Sequence, residues 1–121
     1  WDVCDLFGDG LFTPVEEYRA NILRIARLLL QTAPHVIFAT TTPVLDGHPH
    51  NDNADIRRYN AAVVPDLQKM GVAINDLHAA VFPDRTRYIR SDDMIHLTEE
   101  GISLCAGLVA EKIREAAEQT A

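Results

Sequence analysis

The segment VIFATTT, residues 36–42, decides the fold class. All its residues are apolar or β-branched, and such a run favours a strand covered on both faces, as in a parallel sheet. Helical patterns flank this strand on both sides. Strands that alternate with helices imply right-handed βαβ units with helices packed on the sheet. The segment therefore predicts an α/β fold with a parallel sheet.

The residues before this strand predict a second strand and an amphipathic helix. Trp1–Phe7 is a short, mostly apolar run that Gly8 and Gly10 end, as in a strand that enters a turn. Thr13 is then placed to cap a helix that begins near Pro14. Apolar residues recur at helical spacing in this helix, at Val15, Tyr18, Ile22, Ile25 and Leu29.

The residues after it predict a helix, a short strand and a final helix. Asp52 or Asn53 caps the first of these helices, which Pro65 should kink or interrupt. Val72–Ile74 forms the strand. Thr98 caps the final helix, whose apolar stripe consists of Ile102, Cys105, Val109, Ile113 and Ala116.

Length and composition predict a globular chain of one domain, residues 1–121. Apolar residues make up 47% and charged residues 24%, as in ordinary globular proteins. The net charge of −7 with scattered basic residues argues against nucleic-acid binding. No apolar run approaches the roughly 20 residues that cross a bilayer, which argues against a membrane segment. Because the chain begins with Trp1 rather than Met, the lack of a leader pattern assigns no compartment.

Loops that follow the strands of a parallel sheet commonly hold the functional site. In the loop 91–97, Asp93 precedes His96 by three residues. A carboxylate at this spacing can accept the Nδ1–H of the imidazole, which leaves Nε2 free to take a proton from a nucleophile or from water. The competing interpretation is a solvated aspartate followed by a histidine that caps the last helix.

The other histidines and the cysteines are interpreted as structural. The loop 43–53 and the residues just after it carry Asp46, His48, His50, Asp52 and Asp55. Such groups can bind a divalent cation, but Pro49 separates the two histidines, so we predict a solvated specificity loop without metal or cofactor. His35 and His78 are interpreted as surface or capping residues. Cys4 and Cys105 are predicted to be buried thiols, and a disulfide is left open.

The surroundings of the Asp93–His96 motif resemble a known family. The segment SDDMIHLTEEGISLCAGLVAEKI, residues 91–113, joins D-x-x-H to L-T-x-x-G and an amphipathic helix. This resembles the carboxyl-terminal part of the SGNH (GDSL-type) hydrolase family. Further similar segments follow in the same order over nearly the whole chain: WDV (1–3), YRANI (18–22), IFATTTPV (37–44), RYNAAV (58–63) and GVAINDLHA (71–79).

The resemblance implies a three-layer, flavodoxin-like α/β/α fold and hydrolysis of an ester by a serine, with His96 as general base and Asp93 as its partner. The family carries its serine in an early Gly-Asp-Ser block. The sequence GDGL, residues 8–11, is similar to that block, but only one helix separates it from the ATTTPV strand. It therefore matches the family's third-strand block, in which the oxyanion asparagine is missing here and Gly10 is the remaining oxyanion candidate.

This alignment implies that the chain lacks the first two strands of the family's sheet and the serine. Ser91 and Ser103 do not occupy a strand-to-helix elbow, so we predict no nucleophile in this chain. The Trp1–Phe7 strand would be an exposed sheet edge, and exposed edges invite pairing with another chain. We therefore expect self-association or a partner that completes the sheet.

Two functions follow from these observations. The first is a serine esterase that cleaves a small carboxylic ester, such as an acetylated sugar or lipid, when the missing segment is supplied. The second is a catalytically inactive, truncated α/β module that binds a partner or a small ligand. The intact Asp93–His96 motif favours the first function, and the missing serine and asparagine favour the second.

Overall fold

Two short parallel strands form the centre of the protein in the computed structural model, which describes residues 1–120. Strand β1 (Ile37–Ala39) pairs with β2 (Ala73–Asn75), with Ile37 opposite Ala73. The structure thus confirms both predicted strands. The one predicted at 36–42 is shorter, and the one predicted at 72–74 is shifted by one residue. Helices connect and follow them: α1 (Val15–Leu30), α2 (Asn53–Lys69), α3 (Leu77–Val81), α4 (Arg85–Tyr88) and α5 (Glu99–Thr120), with a 3-10 turn (Phe82–Asp84) before α4.

Different helices cover the two faces of this sheet. Phe38 and Ile74 pack on one face against α1 and α2. Because side chains alternate along a strand, Ile37 and Ala73 face the other way, where they border the end of α5. The predicted three-layer α/β/α arrangement is therefore confirmed. The buried residues of the larger core are Val3, Tyr18, Leu23, Ala26, Val44, Ile56, Tyr59, Val63, Leu67 and Val72.

A second, smaller core lies under the loop that carries the Asp93–His96 motif. Val81, Ile89 and Cys105 are its buried members. Ile89 also forms an antiparallel bridge with Leu97, which closes the base of that loop. Helix α5 begins close beside it, because a β-carbon at Gly101 would clash with the backbone carbonyl of Tyr88. The glycine therefore sets where the last helix meets the loop.

The helix ends follow most of the predicted signals. Asp52 caps α2 by accepting the N–H of Ala54 at 2.6 Å. The hydroxyl of Thr98 accepts the N–H of Gly101 at 3.1 Å in the first turn of α5. Sequence signals for helix boundaries are local, and the structure confirms these two caps.

None of the helices within residues 1–120 is long and apolar enough to cross a membrane.

The predicted strand at Trp1–Phe7 is wrong. The carbonyl of Cys4 accepts the N–H of Phe12 at 3.1 Å, so the segment folds back on itself. Thr13 does not cap α1 but bonds Asp2 twice, through its N–H at 3.2 Å and its hydroxyl at 2.7 Å. A strand needs a partner for its ladder, but here the N–H groups of Phe12 and Thr13 bond within residues 1–13 and that of Asp5 donates to the carbonyl of His50 at 2.8 Å. The segment therefore forms turns beside the sheet.

Helix α2 is continuous through Pro65, so the predicted interruption is absent. Proline removes one backbone hydrogen bond and is unfavourable inside a helix. Its neighbours Val63 and Leu67 are buried at 0% and 1% exposure. Because packing of an apolar face supplies most helical stability in a folded protein, this burial offsets the lost bond.

Both cysteines are buried and free, which confirms the interpretation as buried thiols. Burial raises the pKa of the Cys105 thiol, because it disfavours the charged thiolate. No disulfide joins Cys4 and Cys105 in the described residues. The two thiols lie in different parts of the molecule, Cys105 in the smaller core and Cys4 beside a surface cavity.

The described sheet has two strands, so each strand has one free edge. A groove of about 80 Å³ runs between α1 and β1 and includes Ile25, Leu29 and Phe38. Ile25 is 52% exposed and Leu29 is 46% exposed. A free edge next to apolar side chains favours strand pairing with another chain. We call this groove and the free edge of β1 the edge surface.

We expect the edge surface to cause self-association, with a second copy of the chain as partner. Leu29→Glu places a charge in the groove and should reduce the increase of the sedimentation coefficient with concentration. Leu28→Glu is the matched control, because Leu28 is similarly exposed, at 54%, but does not line the groove. A wild-type sedimentation coefficient independent of concentration in analytical ultracentrifugation would contradict this expectation.

Candidate active site

The loop between Ile89 and Leu97 is closed by its own backbone. The N–H of Arg90 donates to the carbonyl of His96 at 2.8 Å, and the N–H of Met94 donates to the carbonyl of Arg90 at 2.9 Å. Met94 has a φ of 64°, a left-handed conformation that is uncommon for a residue other than glycine. Its carbonyl accepts the N–H of Leu45 at 2.9 Å. The loop is therefore fixed to the neighbouring loop 43–53.

Asp93 makes three hydrogen bonds in this turn, two with His96 and one with Ile95. Its Oδ1 accepts the backbone N–H groups of Ile95 and His96, both at 3.0 Å. Its Oδ2 lies 2.7 Å from Nδ1 of His96. The two backbone donors, followed by the imidazole, hold the pKa of Asp93 well below its usual range. An ionised carboxylate only accepts hydrogen bonds, so the proton of the neutral imidazole is on Nδ1 and the lone pair is on Nε2.

This arrangement is the one that the spacing of Asp93 and His96 predicts. The side chain of His96 is 78% exposed and that of Asp93 is 39% exposed. The imidazole is thus accessible to a substrate while its orientation is set by a partly covered acid. The adjacent Asp92 has another partner, because its Oδ1 accepts the Nε–H of Arg90 at 2.9 Å. The two neighbouring carboxylates are therefore not interchangeable.

A cavity of about 400 Å³ adjoins His96. Three parts of the chain form it: the N-terminal turns, the loop 43–53 and the loop that carries His96. Its lining combines apolar side chains with imidazoles and an amide, namely Trp1, Cys4, Leu6, His48, His50, Asn51, Ile95 and His96. Its volume is in the usual range for a small-molecule site. The cavity can therefore present a small, partly apolar molecule to Nε2 of His96.

His48 in this cavity has a defined tautomer. Its Nδ1 accepts the backbone N–H groups of His50 at 3.2 Å and Asn51 at 3.1 Å. The proton of the neutral ring is therefore on Nε2, which becomes a hydrogen-bond donor. Burial, and secondarily the charge of His50, lower the pKa of His48. The loop that the sequence presents as a solvated segment thus holds an ordered, neutral imidazole.

The acidic side chains of the same loop have partners within the protein. Asp46 forms a bidentate ion pair with Arg85, at 2.7 and 3.1 Å, and this pair lowers the pKa of Asp46. Asp52 caps α2. In the part of the chain that the structure describes, no three histidine, cysteine, aspartate or glutamate side chains are placed to hold a metal ion.

The oxyanion candidate and the two serines, which were predicted not to be nucleophiles, do not line this cavity. The N–H of Gly10, the oxyanion candidate, donates to Oδ1 of Asp5 at 3.2 Å, and Gly10 does not line the cavity. Ser91 and Ser103 are exposed and also lie outside its lining. Of the predicted site residues, the structure therefore brings together only Asp93 and His96.

The interpretation of His78 as a surface or capping residue is wrong. Its side chain is buried, with the residue only 7% exposed. Its Nδ1 lies 2.9 Å from the carbonyl of Thr41, and its backbone N–H donates to the hydroxyl of Thr40 at 3.0 Å. These partners come from the end of β1, so no pattern near His78 could reveal them. His35, by contrast, is partly exposed, with Nε2 at 2.6 Å from the hydroxyl of Thr120.

Two solved structures resemble this fold. One is a lipase/acylhydrolase from Enterococcus faecalis, with a TM-score of 0.75 and 19% identity over 86% of this chain and 53% of that chain. The other is the esterase domain of the ZfL2-1 ORF1 protein from the zebrafish ZfL2-1 retrotransposon, with a TM-score of 0.70 and 15% identity over 85% of this chain and 65% of that chain. No protein-family model matches the chain, and no curated protein matches it.

These likenesses show that the chain shares the α/β fold of these two structures. The chain spans about half the length of the lipase/acylhydrolase and less than two thirds of the length of the esterase domain. At 19% and 15% identity, the likeness concerns the fold alone. What the site does must be argued from its own residues.

We predict that Asp93→Asn changes the tautomer of His96. The amide can still accept a hydrogen bond, but it lacks the charge that favours Nδ1–H, so the fraction of Nε2–H should rise. Long-range ¹H–¹⁵N correlation spectra at alkaline pH measure the two tautomers. Asp92→Asn is the matched control, and an equal response in both variants would contradict the assigned geometry.

We predict that acid weakens the fold through His78. Burial lowers the pKa of His78 in the folded state, so the unfolded chain binds the proton first as pH falls below the ordinary value of 6.5. The free energy of unfolding should therefore decrease between about pH 7.5 and pH 5.5.

The decrease should be smaller in His78→Gln, whereas His35→Gln should keep the wild-type decrease. Urea denaturation at the two pH values measures the difference within each variant. This comparison does not depend on whether the substitution itself changes stability. An unchanged pH dependence in His78→Gln would contradict the prediction.

Proposed function

We propose that this chain supplies the histidine and aspartate of an SGNH-type serine esterase, with the nucleophile on a segment outside these 121 residues. The observation that carries the proposal is the 2.7 Å contact between Oδ2 of Asp93 and Nδ1 of His96 beside a small-molecule cavity. The fold likeness to a lipase/acylhydrolase and an esterase domain supports it. The substrate class is a small carboxylic ester.

His96 would act first as a base and then as an acid. Its Nε2 takes the proton of the serine hydroxyl while the oxygen attacks the ester carbonyl, and it then gives that proton to the leaving alcohol. The bond to the leaving oxygen breaks and an acyl-serine remains. Water then attacks the acyl carbonyl while the same histidine takes its proton. The bond to the serine oxygen breaks, the histidine returns the proton to that oxygen, and the carboxylic acid leaves.

Asp93 would orient the ring and stabilise the imidazolium that each step forms. Its charge is secured by the two backbone N–H groups, since they lower its pKa more than the imidazole does. The carboxylate therefore remains ionised whatever the charge on His96. Such an acid can stabilise the positive charge without taking the proton itself.

The cavity lining is consistent with a small ester. Trp1, Leu6 and Ile95 provide apolar contact area for an acyl or alkyl group. His48 adds one donor, the Nε2–H left by the two backbone bonds to its Nδ1. A donor beside the general base could orient an ester oxygen of the bound substrate.

An inactive binding module is the alternative function. It is favoured by two observations: neither serine of the chain lines the cavity, and the N–H of Gly10 is already bonded to Asp5. Without a nucleophile the covalent route is closed, and the cavity could still bind a ligand. The two functions therefore differ in whether residues beyond this sequence supply a nucleophile.

The test begins with the coding sequence that precedes the Trp1 codon, which should encode a strand ending in Gly-Asp-Ser. The polypeptide that includes this segment should hydrolyse p-nitrophenyl acetate, and His96→Ala should lower kcat by about 10³-fold or more. His35→Ala, outside the cavity, is the matched control. For the 121-residue chain alone, the wild type and His96→Ala should give equal rates.

Two outcomes would contradict the esterase. One is a longer polypeptide whose hydrolysis is unaffected by His96→Ala. The other is an upstream sequence without a serine at the end of a strand, which would favour the binding module.

Cys4→Ala in the longer polypeptide checks that the thiol in the cavity is not the nucleophile, since that variant should keep full activity.

A further inference from the structure

Helix α5 exposes an apolar face that the rest of the described chain does not cover. Ile102 and Ile113 are each 56% exposed, and Val109 is 39% exposed. Val109 lies seven residues after Ile102 and four before Ile113, a spacing that places side chains on one face of a helix. Ala106, between the first two, is also exposed on this face. We call these four residues the α5 face.

Other side chains of α5 make its contacts with the protein. Leu104 and Cys105 pack in the smaller core, and Lys112 and Ala116 border the sheet. The apolar stripe predicted from the sequence is thus divided between a covered face and an exposed one. Large aliphatic side chains that stay together in water are typical of a contact surface.

Two opposite charges flank the α5 face near its ends. Glu99 lies in the first turn of α5, and Arg114 directly follows Ile113. Neither forms an ion pair within residues 1–120. Successive residues of an α-helix are about 100° apart, so both charges lie on the same side of the α5 face.

A second copy of α5 in the antiparallel orientation fits the apolar residues. With Ile102 opposite Ile113 of the second copy, Ala106 lies opposite Val109, because both pairs are centred on the same point of the helix. A small side chain then meets a larger one on each side of this centre. Side chains of alternating size allow two helices to pack closely.

The charges favour the antiparallel orientation over the parallel one. In the antiparallel pair, Glu99 lies about 3 Å along the helix axis from the position opposite Arg114 of the second copy, within reach of that long side chain. The two-fold symmetry repeats this contact. In a parallel pair each charge would lie beside its own counterpart, and like charges repel. The charge pattern therefore matches a second copy of the chain.

We propose that α5 pairs with α5 of a second copy in the antiparallel orientation, about a two-fold axis near residues 107–108. The contact buries the α5 face of both copies and forms two ion pairs between Glu99 and Arg114. Because each copy contributes a single helix, the dimer is weak, with a dissociation constant of about 10–100 µM. The contact uses no residue of the edge surface or of the cavity beside His96, so it is independent of the proposed esterase.

The first experiment determines the orientation by disulfide cross-linking. Ile102→Cys and Ile113→Cys are prepared separately, mixed and oxidised, and peptide mass spectrometry identifies the positions that are joined. The antiparallel pair should join position 102 of one variant to position 113 of the other. Glu118→Cys, on the opposite side of α5, replaces Ile113→Cys in the control mixture and should give little cross-linked product. The native cysteines are buried, so the wild type should stay free of cross-links.

The second experiment measures the association by analytical ultracentrifugation. Every chain also carries Leu29→Glu, so that the edge surface does not contribute, and physiological ionic strength screens the net charge of −7. Ile113→Glu should weaken the association about tenfold or more. Leu28→Glu is the matched control, because Leu28 is 54% exposed but lies on α1.

A charge exchange tests the ion pairs in the same measurement. Glu99→Lys and Arg114→Glu should each weaken the association, because each places two like charges together. Both substitutions in one chain should restore it, since the ion pairs form again with their signs reversed. A loss of helix stability alone would not be repaired in this way.

Three results would overturn the proposal. The first is a disulfide that joins each variant to itself, as in a parallel pair, or a 102–113 product no more abundant than in the control mixture. The second is a sedimentation coefficient independent of concentration in the Leu29→Glu chain, as expected if the α5 face stays in water or is covered by a different polypeptide. The third is a doubly charge-exchanged chain that associates as weakly as the single variants.

Discussion

The parallel pairing of β1 with β2 determines where the loops that follow the two strands lie. It brings the carboxyl ends of both strands to one edge, and the pairing continues beyond the strands, since the N–H of Thr40 donates to the carbonyl of Asn75 at 3.0 Å. The hydroxyl of Thr40 then bonds Asp76 at 2.9 Å. The loops after both strands therefore leave the sheet together, and the loop that follows β1 forms part of the cavity beside His96.

The Asp93–His96 turn reaches this edge through backbone contacts. The bridge between Ile89 and Leu97 closes the base of its loop, and the bond from the N–H of Leu45 to the carbonyl of Met94 attaches the loop to the residues after β1. Met94 adopts a left-handed conformation to make that contact. Strained residues of this kind persist where the surroundings determine their conformation, which is common at functional sites. The position of His96 thus depends on the sheet as well as on its own turn.

The sequence correctly predicted the contacts between residues that are close together in the chain. The helix caps at Asp52 and Thr98 and the bond between Asp93 and His96 all join residues at most three positions apart. The strand at Trp1–Phe7 was a wrong prediction because a strand requires a ladder of bonds to a distant partner, whereas this segment bonds to its own turns and, at single positions, to His50 and Asn51. His78 was misinterpreted for the same reason, since it is buried by contacts from residues 37 and 38 positions away. Patterns of apolar residues do not encode such contacts.

The local origin of the Asp93–His96 geometry also limits what it implies. Within four consecutive residues, the carboxylate accepts two backbone N–H groups and contacts the ring, so the turn would orient His96 with or without a nucleophile nearby. A serine hydroxyl opposite Nε2, by contrast, requires a distant part of the chain to be placed within hydrogen-bond reach. The turn is therefore necessary for the proposed esterase and equally compatible with a binding module. The group opposite Nε2 of His96 distinguishes the esterase from the binding module. In the esterase that group is a nucleophile, whose proton the oriented imidazole accepts.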